Sequence, residues 1–172
     1  MQKCDLSGDM DTFLNKSQAK DPTTYKSVKS EWDAAQKQGA TAAYAGFYAD
    51  STAHCATVES NSSDISTATY KLVVNFVVQF KDEASATKGY TSETIFGISK
   101  DKLTGGAAPE AVMQGTTTGL TANSIVLSVA ILNQSFYVAE WQNKVFLVIL
   151  AILNIDTPTS KKVAQAVNAR IK

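Results

Sequence analysis

The chain of 172 residues carries 16 basic and 16 acidic side chains, so its formal net charge is zero. No basic stripe interleaved with aromatic residues occurs, and nucleic-acid binding therefore has no electrostatic support. The length suits one domain that buries about two thirds of its unfolded surface. A charged fraction of 19% is below the roughly 25% of ordinary soluble domains, and a surface rich in Ser, Thr and Ala is frequent in exported bacterial proteins. We therefore predict a single exported domain over residues 1–172.

Three helices are predicted in the first fifty residues. Residues 7–20 form a short helix, in a segment (residues 1–20) that we expect to pack loosely. The oxygen-bearing side chains of residues 5–11 lack the closing Glu of a calcium loop, so Asp9 is expected to cap this helix. Asp21-Pro22 opens a second helix through residue 38. The Ala-rich run at residues 40–49 is predicted to be a third.

Four strands are predicted in the rest of the chain, at about residues 67–80, 124–132, 135–141 and 144–154. The last contains nine consecutive apolar residues, far fewer than the roughly 20 that span a membrane as a helix. Because both sets of alternating side chains are apolar, both faces of this strand must be covered. Gln142-Asn143 is predicted to turn the chain between the last two strands. With a helix near 82–92 and a C-terminal helix at 158–172, the fold class is α+β, an antiparallel sheet packed by helices.

The two cysteines allow one pairing. A Cys4–Cys55 disulfide would close a loop of about 50 residues and stabilise the fold by roughly 3–4 kcal/mol; the alternative is two unrelated thiols. No export signal precedes Met1, so the chain is either cytosolic or has lost such a signal. We favour the second alternative, with an extracellular or cell-surface location and a lipid or upstream anchor.

Catalytic patterns are absent from the sequence. His54 is the single histidine, which leaves most zinc sites and catalytic triads without a ligand or base. Its neighbour Cys55 is expected to point away from it. No zinc-protease, nucleophile-elbow or phosphate-loop motif occurs. We therefore predict no enzyme activity, no metal and no cofactor.

Glu140 alternates with Phe136 and Val138 along a predicted strand. If that face is covered, Glu140 is a semi-buried carboxylate with a raised pKa or a partner. If the face is open, Glu140 simply faces solvent, and this is the alternative we favour.

Several short motifs between residues 47 and 171 resemble a class of bacterial extracytoplasmic domains. They are Cys55 in a helix, the FKDEASA run at residues 80–86, Gly119-Leu120, the WQNKV run at residues 141–145, and Arg170-Ile171 at the end of an amphipathic helix. Together they resemble sensor and lipoprotein domains of the PknH sensor-domain and LpqN type. Thr121-Ala122 and Gln142-Asn143-Lys144 depart from the corresponding turns of that class. The resemblance implies architecture and cell-surface placement only, since none of these motifs is catalytic, and it does not cover residues 1–46.

The expected function is therefore that of a non-enzymatic extracytoplasmic domain of a bacterial surface protein or lipoprotein. It would bind a small apolar or amphipathic ligand, or a surface protein partner, in an apolar groove between sheet and helices. The residues expected to line this groove are Tyr44, Phe47, Tyr48, Phe136, Tyr137, Glu140 and Trp141. The alternative is a structural, self-assembling surface subunit that uses an apolar sheet face.

Overall fold

A computed structural model of the chain describes residues 1–62, 68–92, 111–131 and 133–171. The ends predicted at residues 67, 132 and 172 lie outside these ranges. The described helices are α1 (Met10–Lys20), α2 (Pro22–Lys37), α3 (Thr52–Ser60), α4 (Glu83–Thr91) and α5 (Thr157–Arg170), with a 3₁₀ turn at Gly115–Thr118. The described strands are β1 (Gln2–Lys3), β2 (Gly8–Asp9), β3 (Ala40–Ala49), β4 (Leu72–Phe80), β5 (Val112–Gln114), β6 (Ser124–Ile131), β7 (Gln134–Asn143) and β8 (Phe146–Leu153).

The strands form one sheet in the order β1-β3-β4-β8-β7-β6-β5, with β2 also paired to β3. Every described pairing is antiparallel. The α+β fold and its four predicted strands are thus confirmed. Within the described ranges, no helix is both long and apolar enough to cross a membrane.

The apolar strand β8 lies at the centre of the sheet and is covered on both faces. Leu147, Ile149 and Leu153 pack against side chains of α1, α2, α3 and α4, on what we call the four-helix face. Leu150 and Ile152 point to the opposite side, the α5 face, and pack with Ala164 of α5. The prediction that neither face of this strand meets water is therefore confirmed. The second helix, α2, and the C-terminal helix, α5, lie on opposite faces of the sheet.

The prediction of a helix at residues 40–49 is wrong, because this segment is β3. It pairs with β4 along its length, from Ala40 opposite Phe80 to Ala49 opposite Leu72. Alanine has a high helix propensity, but pairing with a long neighbouring strand outweighs such a weak local preference.

The N-terminal segment is packed rather than loose. Leu6 and Phe13 are fully buried, and Cys4 forms a disulfide with Cys55 over a Cα–Cα distance of 5.1 Å. Between the short strands β1 and β2, the Cys4 amide donates to the Phe47 carbonyl at 2.8 Å, and the Ser7 hydroxyl accepts from the Phe47 amide at 2.8 Å. The segment therefore covers the outer edge of β3 and is fixed there covalently.

The turn between the last two strands lies two residues later than predicted. Asn143 pairs with Phe146, so Lys144 and Val145 make the turn, and Lys144 adopts a φ of +54°. Gln142 instead belongs to β7, where its side chain accepts a hydrogen bond from Thr87 of α4 at 3.1 Å. Because the turn moves by an even number of residues, the side chains of β7 and β8 keep their predicted faces.

Candidate binding surface

The structure does not bring the seven predicted site residues together in one groove. Tyr137 and Trp141 are buried on the α5 face. Phe47, Phe136 and Glu140 belong to the four-helix face, as the register of β3, β7 and β8 shows. Only Tyr44 and Tyr48 lie side by side at the surface, on the part of the α5 face that β3 contributes.

The fully buried aromatic residues contribute to the core. Phe47 stacks on Phe13 with 5.5 Å between ring centroids and meets Phe76 edge-on at 5.9 Å. Trp141 is inaccessible to solvent, and its indole N–H has no acceptor among the described residues. These side chains account for packing, and a ligand cannot reach them from outside without rearranging that packing.

Beyond α5, the sheet continues into β3 and β4 and presents a patch that we call the tyrosine surface: Lys3, Tyr44, Tyr48, Asn75 and Arg170. The two tyrosines flank Gly46 on β3. A Cβ atom at Gly46 would lie 3.1 Å from the Tyr48 ring and 3.3 Å from the Tyr44 ring. Both rings therefore lean over the glycine and form one half-buried aromatic area.

The polar groups of the tyrosine surface are two cations and two hydroxyls. The Lys3 ammonium lies 5.5 Å from the centroid of the Tyr44 ring, and hydrogen bonding to Tyr44 raises the pKa of Lys3. Burial raises the pKa of Tyr48, although the nearby charges of Lys3 and Arg170 act in the opposite direction. Hydrogen bonding with Tyr44 also raises the pKa of Tyr48, so the two hydroxyls interact with each other.

Asn75 lies opposite Gly46 in the register of β3 and β4, on the same face as the two tyrosines. Its carboxamide oxygen is buried, and no described residue donates a hydrogen bond to it. An unsatisfied buried acceptor costs about 1–3 kcal/mol, so this oxygen lowers the stability of the sheet beneath the tyrosine surface.

Glu140 is buried, contrary to the exposed alternative that we favoured. It is 2% exposed, and no described residue donates to its Oε2 atom. Burial raises its pKa from 4.5 to about 8, so the side chain is a neutral acid at pH 7. The cover is α4, whose Tyr90 is close enough for Glu140 to raise the pKa of that tyrosine, after the larger effect of burial.

Sequence reasoning missed a pair formed by Asp50 and His54. One Asp50 oxygen contacts Nδ1 of His54, and the other accepts the Lys71 amide at 3.1 Å. The imidazole stacks on Tyr70 with 4.1 Å between centroids. The spacing of four residues between Asp50 and His54 was the feature of the sequence that could have indicated this pair. Because Cys55 is disulfide-bonded, it cannot act as a nucleophile beside this histidine.

Of three clefts lined by described residues, two lie away from the tyrosine surface, and the one beside the disulfide reaches it through Lys3. The largest, about 620 Å³, lies between the end of α2 and the start of α4 and includes Lys37, Lys81 and Lys88. The others are beside the disulfide, about 280 Å³, and at the β7–β8 turn, about 250 Å³. In the described part of the chain, no group of His, Cys, Asp or Glu residues is placed to hold a metal ion.

Comparison with known proteins finds no family model that matches the chain, and no curated protein matches it. Among solved structures, it is similar to the extracellular domain of PknH from Mycobacterium tuberculosis, with a TM-score of 0.41 and 11% sequence identity. The match covers 77% of this chain and 65% of that domain. This comparison agrees with the resemblance noted in the sequence, at the level of the fold.

Proposed function

We propose that the chain is a non-enzymatic, extracytoplasmic binding domain and that the tyrosine surface is its binding site. The observation that carries the proposal is the pair of half-buried tyrosines that lean together over Gly46. Tyrosine provides a large apolar area and a polar end in one rigid side chain, which suits it to recognition surfaces. The ligand is a small amphipathic molecule or a segment of a surface protein.

The disulfide supports the proposed extracytoplasmic compartment. Cys4–Cys55 is buried, and structural disulfides of this kind persist in oxidising compartments and are rare in the cytosol of most organisms. Anchoring through a lipid or an upstream segment belongs to the same proposal. The gene sequence upstream of Met1 tests it, since a lipobox or export signal there is the expected result.

Native mass spectrometry of the protein purified from the extracytoplasmic fraction of its own host tests the binding function. We expect an adduct on the unaltered protein that is lost in the Tyr44→Ala/Tyr48→Ala variant. Tyr25→Ala on α2 is the matched control and should keep the adduct. An adduct that survives in the double variant would place the binding site elsewhere.

Self-assembly is the alternative that the same preparation addresses. Both faces of β8 are already covered within the chain, so an assembly would have to use another surface. Light scattering at high concentration should give the mass of one chain. A stable oligomer that Tyr44→Ala/Tyr48→Ala dissociates would instead identify the tyrosine surface as an assembly contact.

A further inference from the structure

The charges that border the tyrosine surface are positive on two opposite sides. Lys3 lies on β1, which pairs with the outer edge of β3. Arg170 is the last residue of α5, the helix that covers the other side of the patch. Its charge acts on the Tyr48 hydroxyl. A molecule lying across the two tyrosines would therefore have a cation at each end.

Neither cation forms an ion pair with a carboxylate within the described ranges. The acidic residue nearest in register is Asp9, which pairs with Tyr44. Its carboxylate accepts the Thr12 amide at 2.8 Å and caps α1. The cations are thus available to a ligand, and their sign favours an anion.

Apart from Asn75, the side chains between the cations are aromatic or aliphatic. The Tyr44 and Tyr48 rings lean over Gly46, and Val73 and Val77 of β4, half-buried, lie on the same face. Such an area suits an aromatic or aliphatic body, while the two cations at its border suit an anionic group on that body.

We propose that the tyrosine surface binds a small soluble amphipathic anion: an aromatic or aliphatic body that carries one carboxylate, sulfonate or phosphate group. Lys3 and Arg170 select the charge, and the two tyrosines hold the body. This inference rests on the function proposed above and names the class of its ligand.

Two fluorescent probes separate the parts of this proposal. Anilinonaphthalene sulfonate is an aromatic anion, and Nile red is a neutral aromatic molecule. We expect Lys3→Gln/Arg170→Gln to weaken sulfonate binding by at least tenfold, about the effect of losing one charge-assisted hydrogen bond, and to leave Nile red binding unchanged. Tyr44→Ala/Tyr48→Ala should weaken both probes. Lys26→Gln/Lys37→Gln on α2 changes the net charge equally and should change neither.

The outcomes are distinguishable. If the unaltered protein binds both probes through the tyrosines but the Lys3→Gln/Arg170→Gln variant binds the sulfonate normally, the anion selectivity is wrong while the binding function stands. If Tyr44→Ala/Tyr48→Ala changes neither probe, both proposals fail. Co-sedimentation with phosphatidylglycerol vesicles, without binding of the soluble sulfonate, would overturn the assignment to a soluble ligand. Far-UV circular dichroism of each variant confirms that it is folded.

Discussion

The buried acid Glu140 makes the stability of this fold depend on pH in the opposite sense from that of a paired carboxylate. Its pKa is about 8 in the folded chain, against an ordinary value of 4.5. Because the pKa of Glu140 is higher in the folded chain, its contribution to the free energy of unfolding is fully present below pH 4.5. This contribution is lost as the pH rises towards 8. Between these values the folded state holds one proton more than the unfolded state, which lowers the free energy of unfolding by about 1.4 kcal/mol per pH unit.

Over the whole interval this amounts to about 4–5 kcal/mol, a large share of the 5–15 kcal/mol typical of a domain. Glu140→Gln keeps the shape of the side chain and removes the proton equilibrium. We therefore expect urea denaturation at pH 5, 6, 7 and 8 to show a stability that falls steadily for the unaltered protein and much less for Glu140→Gln. The two curves should differ most in slope, since the added amide N–H₂ costs some stability at every pH.

Glu83→Gln is the matched control, because Glu83 is exposed on α4, the helix that covers Glu140. It should retain the slope of the unaltered protein. Equal slopes for Glu140→Gln and the unaltered protein would refute the reasoning. The result would then mean that Glu140 is solvated or paired when the chain is folded.

Three further predictions, made on four variants, test the packing of the fold. Replacing both Cys4 and Cys55 by Ser should lower the free energy of unfolding by about 3–4 kcal/mol, because a loop of about 50 residues is no longer closed in the unfolded chain; urea denaturation measures it. Asp21→Ala should lower the free energy of unfolding by about 1–2 kcal/mol, because Asp21 caps α2 by accepting from the Thr24 amide and also accepts from the Ser62 amide. Thermal unfolding measures this loss. Phe47→Ala should lower the free energy of unfolding by about 3–5 kcal/mol. Tyr48→Ala, at the surface, should lower it by about 1 kcal/mol.

Each of these has a matched comparison. The unaltered protein under reducing conditions should lose as much stability as the double cysteine variant, and an unchanged midpoint in reductant would contradict the assigned bond. Asp21→Asn keeps a capping oxygen and should recover part of the Asp21→Ala loss. Should Tyr48→Ala prove as destabilising as Phe47→Ala, Tyr48 would be a core residue and the tyrosine surface would be wrong.

The parts of the fold that the sequence predicts are those whose pattern is long or chemically specific. The unbroken apolar run of β8 requires cover on both faces, and the alternation along β4 separates its two faces. Asp9, Asp21 and Asp82 cap helices as their residue type suggests. By contrast, β1, β2 and β5 contain two or three residues each, too few to show a period.

The candidate site could be predicted only in part, because a face is set by pairing between strands distant in sequence. Tyr44 and Tyr48 were named as members of a helix, yet in β3 they come together on one face while Phe47 turns to the other. The burial of Glu140 depends on α4, which begins fifty-seven residues earlier. Periodicity along β7 places Glu140 beside Phe136 and Val138, but it carries no information about which element covers them.

The covalent bond between Cys4 and Cys55 also has a consequence for the solubility of the protein. Residues 40–49 contain neither a charged residue nor a proline and are rich in Ala and Tyr, a composition that favours intermolecular strand stacking when the strand edge is free. In the folded chain, residues 2–9 occupy that edge, and the disulfide prevents them from leaving it. The disulfide therefore does more than stabilise the fold: it keeps residues 2–9 on the edge of an aggregation-prone strand for as long as the surroundings remain oxidising.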